Sequence, residues 1–218
     1  VEKYSEEDNQ TIESVLEKEE PLLEKSDNRK LESTEGELDG PQVGPGFMGK
    51  IDGSGGSYGQ RNGGGRKRAV MKSGGSKDTE SAVDWALWWL ANHQEKTGHW
   101  DSGKYEGAGT PETDCATTGL ALLAFLGAGY TDKVGKWKTN VKTAIAWLVA
   151  AQKPDGSWDT RNYSNGICTM AMAEAVGMGC GGSETIKSAE LAVEYLLKEQ
   201  NATGFFDYTG PSSRDDMS

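Results

Sequence analysis

Histidine is scarce in this chain of 218 residues, with only His93 and His99 present. Cysteine is nearly as rare: Cys115, Cys168 and Cys180 form no Cys-x-x-Cys pair, and three thiols cannot pair completely within one chain. They read as small, partly buried residues beside helices. No apolar run approaches the ~20 residues of a membrane span, and no signal peptide is visible. The chain begins at Val1 and not Met, so an upstream signal or membrane tether can lie outside it. As it stands it is expected to be soluble, with its compartment undefined. Basic excess is lacking too. The net charge of -11 argues against nonspecific DNA binding, and nucleic acid is not an expected partner.

What is present is unevenly spread. Residues 1–40 hold fourteen acids against five bases. Their one helical pattern, Ile12, Val15 and Leu16, is interrupted by Pro21. Such a segment buries too little apolar surface to offset its ordering entropy, so it is expected to be disordered. Residues 41–76 hold six bases against one acid and are crowded with glycine, the composition of a flexible linker. Their glycine-rich run lacks a Gly-Lys-Ser/Thr ending, which argues against a phosphate-binding loop. With Arg61 and Arg66-Lys67-Arg68 it could touch RNA or an anionic surface, but a plain linker is the simpler reading. Residues 77–218 contain all seven tryptophans and alone have the apolar mass for a core. Ser76 or Asp78 is placed to cap their first helix, with Glu80 in its first turn.

This last segment repeats internally. The first unit reads Ala86-Leu87-Trp88-Trp89-Leu90, then Gln94, Gly98 and Trp100-Asp101. The second reads Ala144-Ile145-Ala146-Trp147-Leu148, then Gln152, Gly156 and Trp158-Asp159. The third reads Ala192-Val193-Glu194-Tyr195-Leu196, then Gln200, Gly204 and Phe206-Asp207. The internal spacings are identical. The aromatic-leucine pairs predict a buried helical stripe, and the glycines permit tight reversals. Lys153-Pro154-Asp155-Gly156 suits a type I turn. The aromatic after each turn can fold back over the helix end and the glutamine amide, clasping one helical hairpin to the next. A second helix follows each of the first two turns, over Gly119–Gly127 and Met170–Gly177, with Gly127 and Gly177 as stops. These second helices are the more apolar and are expected to form an inner layer.

These residues resemble the QW repeat of squalene and oxidosqualene cyclases, found in related form in protein prenyltransferase β-subunits. The whole of 77–218 is similar to bacterial prenyltransferase/squalene-oxidase-repeat proteins. Gln152 to Trp158 matches the pattern without gaps, Gln94 to Trp100 fits, and Phe206 replaces the tryptophan of the third unit. The resemblance implies an all-α fold, an α/α toroid of helical hairpins in two layers around an apolar cavity. Two hairpins and half of a third are present. Repeat stacks need capped ends, so a fragment of a longer protein is expected.

The resemblance also implies places to look for chemistry. Cyclases of this type protonate substrate with an Asp-x-Asp-Asp motif. Its nearest counterpart is Ser213-Arg214-Asp215-Asp216, where Asp215 and Asp216 remain weak catalytic candidates beside a simpler role in capping a helix. Prenyltransferases hold zinc with an Asp, a Cys two residues later and a distant His. Here Asp114 and Cys115 are adjacent, which breaks that spacing; they are weak metal candidates, and Asp114 reads better as a helix cap. No cofactor is implied. Trp89, Trp100 and Trp158 are expected to pack in the core, and Trp137 to lie at the surface or in a hairpin contact. Asn162-Tyr163-Ser164 and Asn201-Ala202-Thr203 match glycosylation sequons, a pattern frequent by chance. The expected function is a non-catalytic toroid repeat that binds an apolar isoprenoid or a protein partner. The alternative is part of a terpene-cyclase-like enzyme.

Overall fold

The computed structural model describes residues 70, 72–104, 110 and 113–210. Among them are five α-helices and no strand: α1 (Lys77–Asn92), α2 (Asp114–Gly127), α3 (Lys138–Ala151), α4 (Asn162–Gly177) and α5 (Ser183–Glu199). The architecture is the expected all-α one, tandem helical hairpins forming part of an α/α toroid.

Local chemistry sets the helix ends. Ser76 caps α1 through its side chain, which accepts from the Thr79 amide at 3.3 Å. Thr79 Oγ1 accepts in return from the Ser76 amide at 2.8 Å. This reciprocal box satisfies two amides that the helix itself cannot. The C-termini of α2 and α4 fall at the two glycines expected to stop them. Gly127 and Gly177 are the last helical residues, and the reversals are made by Gly129 (φ 89°) and Gly179 (φ 73°). Tyr130 N donates back to Phe125 O at 3.0 Å, and Cys180 N to Ala175 O at 2.8 Å. Both are Schellman closures, which require the left-handed conformation at that glycine.

Packing separates the helices into two layers. α2 and α4 lie side by side, and each also packs on helices of the other set, α1, α3 and α5. Their contact is close: a methyl group built on Gly119 would lie 3.0 Å from Ile167 Cγ2. Leu122, Phe125, Leu126, Cys168, Ala171, Met172 and Ala175 on this inner pair have no exposed surface. The outer helices contribute Leu87, Val141, Ile145, Leu148 and Ala192 to the same core. Trp137 joins it as a hairpin contact, half-buried and edge-on to Phe125 at 6.2 Å.

The two ends of the stack are unlike its middle. Val141 and Ala144 of α3 are buried, whereas the matching Val83 of α1 is 37% exposed. Trp89 is 40% exposed and not in the core, because no described unit precedes α1 to cover it. At the other end Ile186, Leu191, Val193 and Leu197 of α5 are exposed.

Phe125 sits where α2, α3 and the Trp100 and Trp137 rings converge. Phe125→Ala should cost about 3–5 kcal/mol, the range for emptying a large buried aromatic. Urea unfolding followed by circular dichroism would measure it.

Candidate functional site

Each Gln-to-aromatic turn is a compact loop closed by backbone hydrogen bonds. Glu95 N donates to His99 O and Gly98 N to Glu95 O, both at 2.8 Å. Lys153 with Ser157, Gly156 with Lys153, Asn201 with Phe205 and Gly204 with Asn201 repeat the pattern. The glycines adopt φ of 103°, 96° and 88°.

The glutamine amide spans two units. Gln94 Nε2 donates to Gly98 O at 2.8 Å and to Asn140 O of α3 at 3.0 Å. Gln152 Nε2 donates to Gly156 O and to Ser188 O of α5, each at 2.9 Å. Gln200 Nε2 donates to Gly204 O at 2.7 Å; no further outer helix follows among the described residues. Asn140 strengthens the first joint by donating from Nδ2 to Gln94 Oε1 at 2.7 Å.

The tryptophans fold back on the preceding helix, not on the glutamine. Trp100 Nε1 donates to Leu90 O and Trp158 Nε1 to Leu148 O, both at 2.8 Å. Each thereby adds a second donor to a carbonyl of the last helical turn, which also accepts from the His93 or Gln152 amide. Their own amides reach the inner helices, Trp100 N to Thr118 Oγ1 at 3.1 Å and Trp158 N to Asn165 Oδ1 at 2.8 Å. The Phe206 ring has no N–H to offer in place of the indole, and the residue is half-buried. Glycine is needed at the joints for a second reason besides φ. A Cβ on Gly98 would meet Thr143 O at 2.3 Å, and one on Gly156 would meet Leu191 O at 2.3 Å. Around Gly204 the nearest such atom is Gln200 Nε2 at 4.0 Å.

Buried polar groups gather where the turns meet the inner helices. Asp159 is 3% exposed. It accepts from Ser164 Oγ at 2.7 Å, Arg161 Nε at 2.8 Å and Thr160 N at 2.7 Å. Burial acts to raise its pKa, but the Ser164 and Arg161 hydrogen bonds, the Thr160 amide and the Arg161 charge outweigh it. The carboxyl is held below the ordinary aspartate range. Cys115 and Cys168 share a thiol hydrogen bond, and that bond together with burial and the nearby Asp159 pushes the Cys168 thiol up.

Asp114 is the first residue of α2 and does not cap it; Thr113 is the N-cap residue and makes no side-chain capping bond. The Asp114 carboxylate instead accepts from Ser102 N at 2.8 Å and Ser102 Oγ at 2.7 Å, which pins the chain after the first turn. His99 Nε2 lies 3.8 Å from it, while the His99 ring stacks on Trp147 at 4.9 Å. Cys115 faces Cys168. Among the described residues no group of three or more His, Cys, Asp or Glu side chains is placed to hold a metal ion. Asp215 and Asp216 lie outside the described residues. Asn162 is buried and its amide donates to Asp207 O, so that sequon is not presented for glycosylation.

The inner helices leave one face uncovered. On α2 it runs through Thr117, Leu120, Ala124 and Gly127, and on α4 through Tyr163, Gly166, Met170 and Ala173. The spacing of three and four residues makes each set one stripe. Leu120 is 51%, Met170 54% and Tyr163 69% exposed. A cleft of about 420 Å³ adjoins this face, bordered by Trp89, Leu90, His93, Trp100 and Leu120, with Asp101 and Lys104 as its charged residues.

Fold and joints together define a segment of an α/α toroid. Residues 65–174, half of the chain, match the squalene-hopene cyclase C-terminal domain family. The chain belongs to that family. No curated protein and no solved structure matched it.

Two outcomes follow from the joints. Gly204→Ala should cost about 1 kcal/mol, the strain of a left-handed alanine. Gly156→Ala should cost roughly 2–4 kcal/mol, because overpacking against a carbonyl is added; equal costs in chemical denaturation would contradict the joint geometry. Asp159 supplies a pH dependence. Its folded pKa lies below its unfolded one, so its contribution is present above the unfolded value near ~3.9 and lost as pH falls through the folded value. Wild-type denaturation midpoints should therefore fall more steeply below about pH 4 than those of Asp159→Asn. Asp155, held down by the Ser157 amide and hydroxyl, titrates in both proteins, so only their difference reports Asp159.

Proposed function

We propose that residues 77–218 are a non-catalytic binding module, a toroid segment of a longer cyclase-like protein, whose inner helices line a cavity for an apolar isoprenoid chain. The observation that carries this is the uncovered face of α2 and α4. Leu120, Ala124, Met170 and Ala173 form an apolar surface on helices otherwise buried within the domain. A soluble domain leaves such surface open where a ligand or partner covers it. The adjoining cleft extends that surface and brings the rings of Trp89 and Trp100 to it.

Polar chemistry at the same place is sparse. Asp159 is tied to Arg161 and Ser164, and Asp114 to Ser102. Both carboxylates are engaged as acceptors by neighbouring groups of the fold, whereas initiating a cyclisation demands an acid aimed at the substrate. A second reading, part of a terpene-cyclase-like enzyme, draws its support from the family match, because a fold hosts several activities and its site decides among them.

One experiment separates the readings. The purified chain is incubated with squalene in detergent micelles, and tryptophan quenching, retained lipid and products by gas chromatography–mass spectrometry are followed. The expected result is saturable retention, lost in the Leu120→Asp, Met170→Asp double variant, with squalene recovered unchanged. A cyclised product would establish the enzymatic reading, and absent retention would overturn the cavity role.

A further inference from the structure

The two inner helices exchange roles at a pair of positions that the repeat makes equivalent. With the reversals Gly129 and Gly179 superimposed, Cys115 corresponds to Asn165 and Thr118 to Cys168. Each unit receives its tryptophan amide at one of these positions, but not at the same one. Thr118 Oγ1 accepts from Trp100 N, and Asn165 Oδ1 from Trp158 N. The position that the amide does not use holds cysteine in both helices, Cys115 in α2 and Cys168 in α4. Receiving the amide therefore requires neither thiol.

The two cysteines meet across the α2–α4 contact. Cys115 lies one helical turn before Gly119, on the same stripe of α2. The missing side chain there brings α4 close: the Cβ position on Gly119 is 3.6 Å from Cys168 Cα. The two thiols share a hydrogen bond, and neither is in a disulfide. Their environments differ. Cys115 stands in the first turn of α2. The hydrogen bond from Cys168, helped by the Ala116 and Cys115 amides, holds its thiol below the ordinary range against burial and the Asp159 charge. Cys115 is thus the stronger nucleophile of the pair, and Cys168 the proton donor. Cys180 stands apart beside Asp132, where burial pushes its thiol up to about 11.

We propose that Cys115 and Cys168 form an oxidative modification site, a dithiol that a peroxide converts into a disulfide between α2 and α4. The Cys115 sulfur attacks one peroxide oxygen. An S–O bond forms, the O–O bond breaks, and the other oxygen leaves as water with the Cys115 proton. The Cys168 sulfur then attacks the Cys115 sulfur of this sulfenic acid. The S–S bond forms, the S–O bond breaks, and a second water carries off the Cys168 proton. The sulfur pair loses two electrons, and the peroxide is reduced to two waters. The sulfurs close from hydrogen-bond contact to a bond of ~2.05 Å. The bridge ties together the two helices that carry Leu120 and Met170. It is independent of the ligand-binding reading, because its formation is read without squalene.

Peptide mapping of the full 218-residue chain tests it. The reduced protein, freed of reductant, is treated with hydrogen peroxide and then unfolded. Its remaining thiols are alkylated, and non-reducing mass spectrometry follows. The expected product has lost two hydrogens, bridges Cys115 to Cys168, is alkylated only at Cys180, and reverts with dithiothreitol. Trypsin leaves Cys168 and Cys180 in one peptide, so Cys180→Ser, which should still bridge, settles which of them is joined. Cys168→Ser keeps a hydroxyl donor at the Cys115 thiol and should stop at a sulfenic acid that dimedone traps on unfolding. Cys115→Ala should slow oxidation of Cys168 by about tenfold or more. Circular dichroism checks the variants, and where one does not fold the wild-type map decides. Three thiols surviving in the folded chain, at a peroxide dose that oxidises them in the urea-unfolded chain, overturn the proposal. So does a bridge through Cys180 or between two chains, or a pairing no more selective than that of the unfolded chain.

Discussion

The two-way hydrogen bond of the glutamine amide is the constraint on which the stack depends. A primary amide has two N–H donors, and here each is committed to a different unit. Gln152 holds Gly156 O of its own turn and Ser188 O of the next outer helix. Each bond nets only about 0.5–1.5 kcal/mol, but leaving a buried carbonyl unpaired costs about 1–3 kcal/mol. The amide therefore fixes register more than it adds stability: a slide of α5 past the turn would strand both groups. Asn140 adds a reciprocal bond at the first joint, and the Ser188 hydroxyl makes no matching one at the second.

Close approach follows from that bond. For one amide to reach both carbonyls, the turn must lie against the next helix's backbone, and the 2.3 Å clearance that a Cβ would have at Gly98 and Gly156 measures how close. The indole N–H then closes the helix end that the turn leaves behind, at Leu90 O and Leu148 O. Glutamine, glycine and tryptophan are thus three parts of one joint. Inner-helix side chains complete it: Thr118 in the first unit and Asn165 in the second receive the tryptophan amide, so different residues meet the same backbone need.

That division explains what could be read in the sequence. Helices and turns were legible because period and spacing follow directly from helical geometry and from glycine's φ. The acceptors Asn140 O and Ser188 O were not, since a backbone carbonyl has no residue signature. Gly127 and Gly177 do end their helices, but Gly-Ala-Gly and Gly-Met-Gly each offer two glycines for the left-handed position, and only the closing bonds to Phe125 and Ala175 choose the later one. Trp89 occupies the same motif position as Trp147 yet is exposed, because its burial depends on a neighbour and not on itself. Asp114 reads as a cap from its position, but Ser102, twelve residues earlier in the chain, takes its carboxylate.

The face that would carry specificity is subject to none of these constraints. Leu120 and Met170 are exposed and satisfy no backbone group, so within the fold helix propensity is the main limit on what can stand there. Leu120 and Ala124 could be exchanged for other helix formers without disturbing a turn, a cap or the α2–α4 contact at Gly119. A repeat of this kind can keep its architecture while its inner lining changes from reactive to merely receptive. Family membership therefore identifies the scaffold and leaves the chemistry to side chains that the scaffold does not dictate.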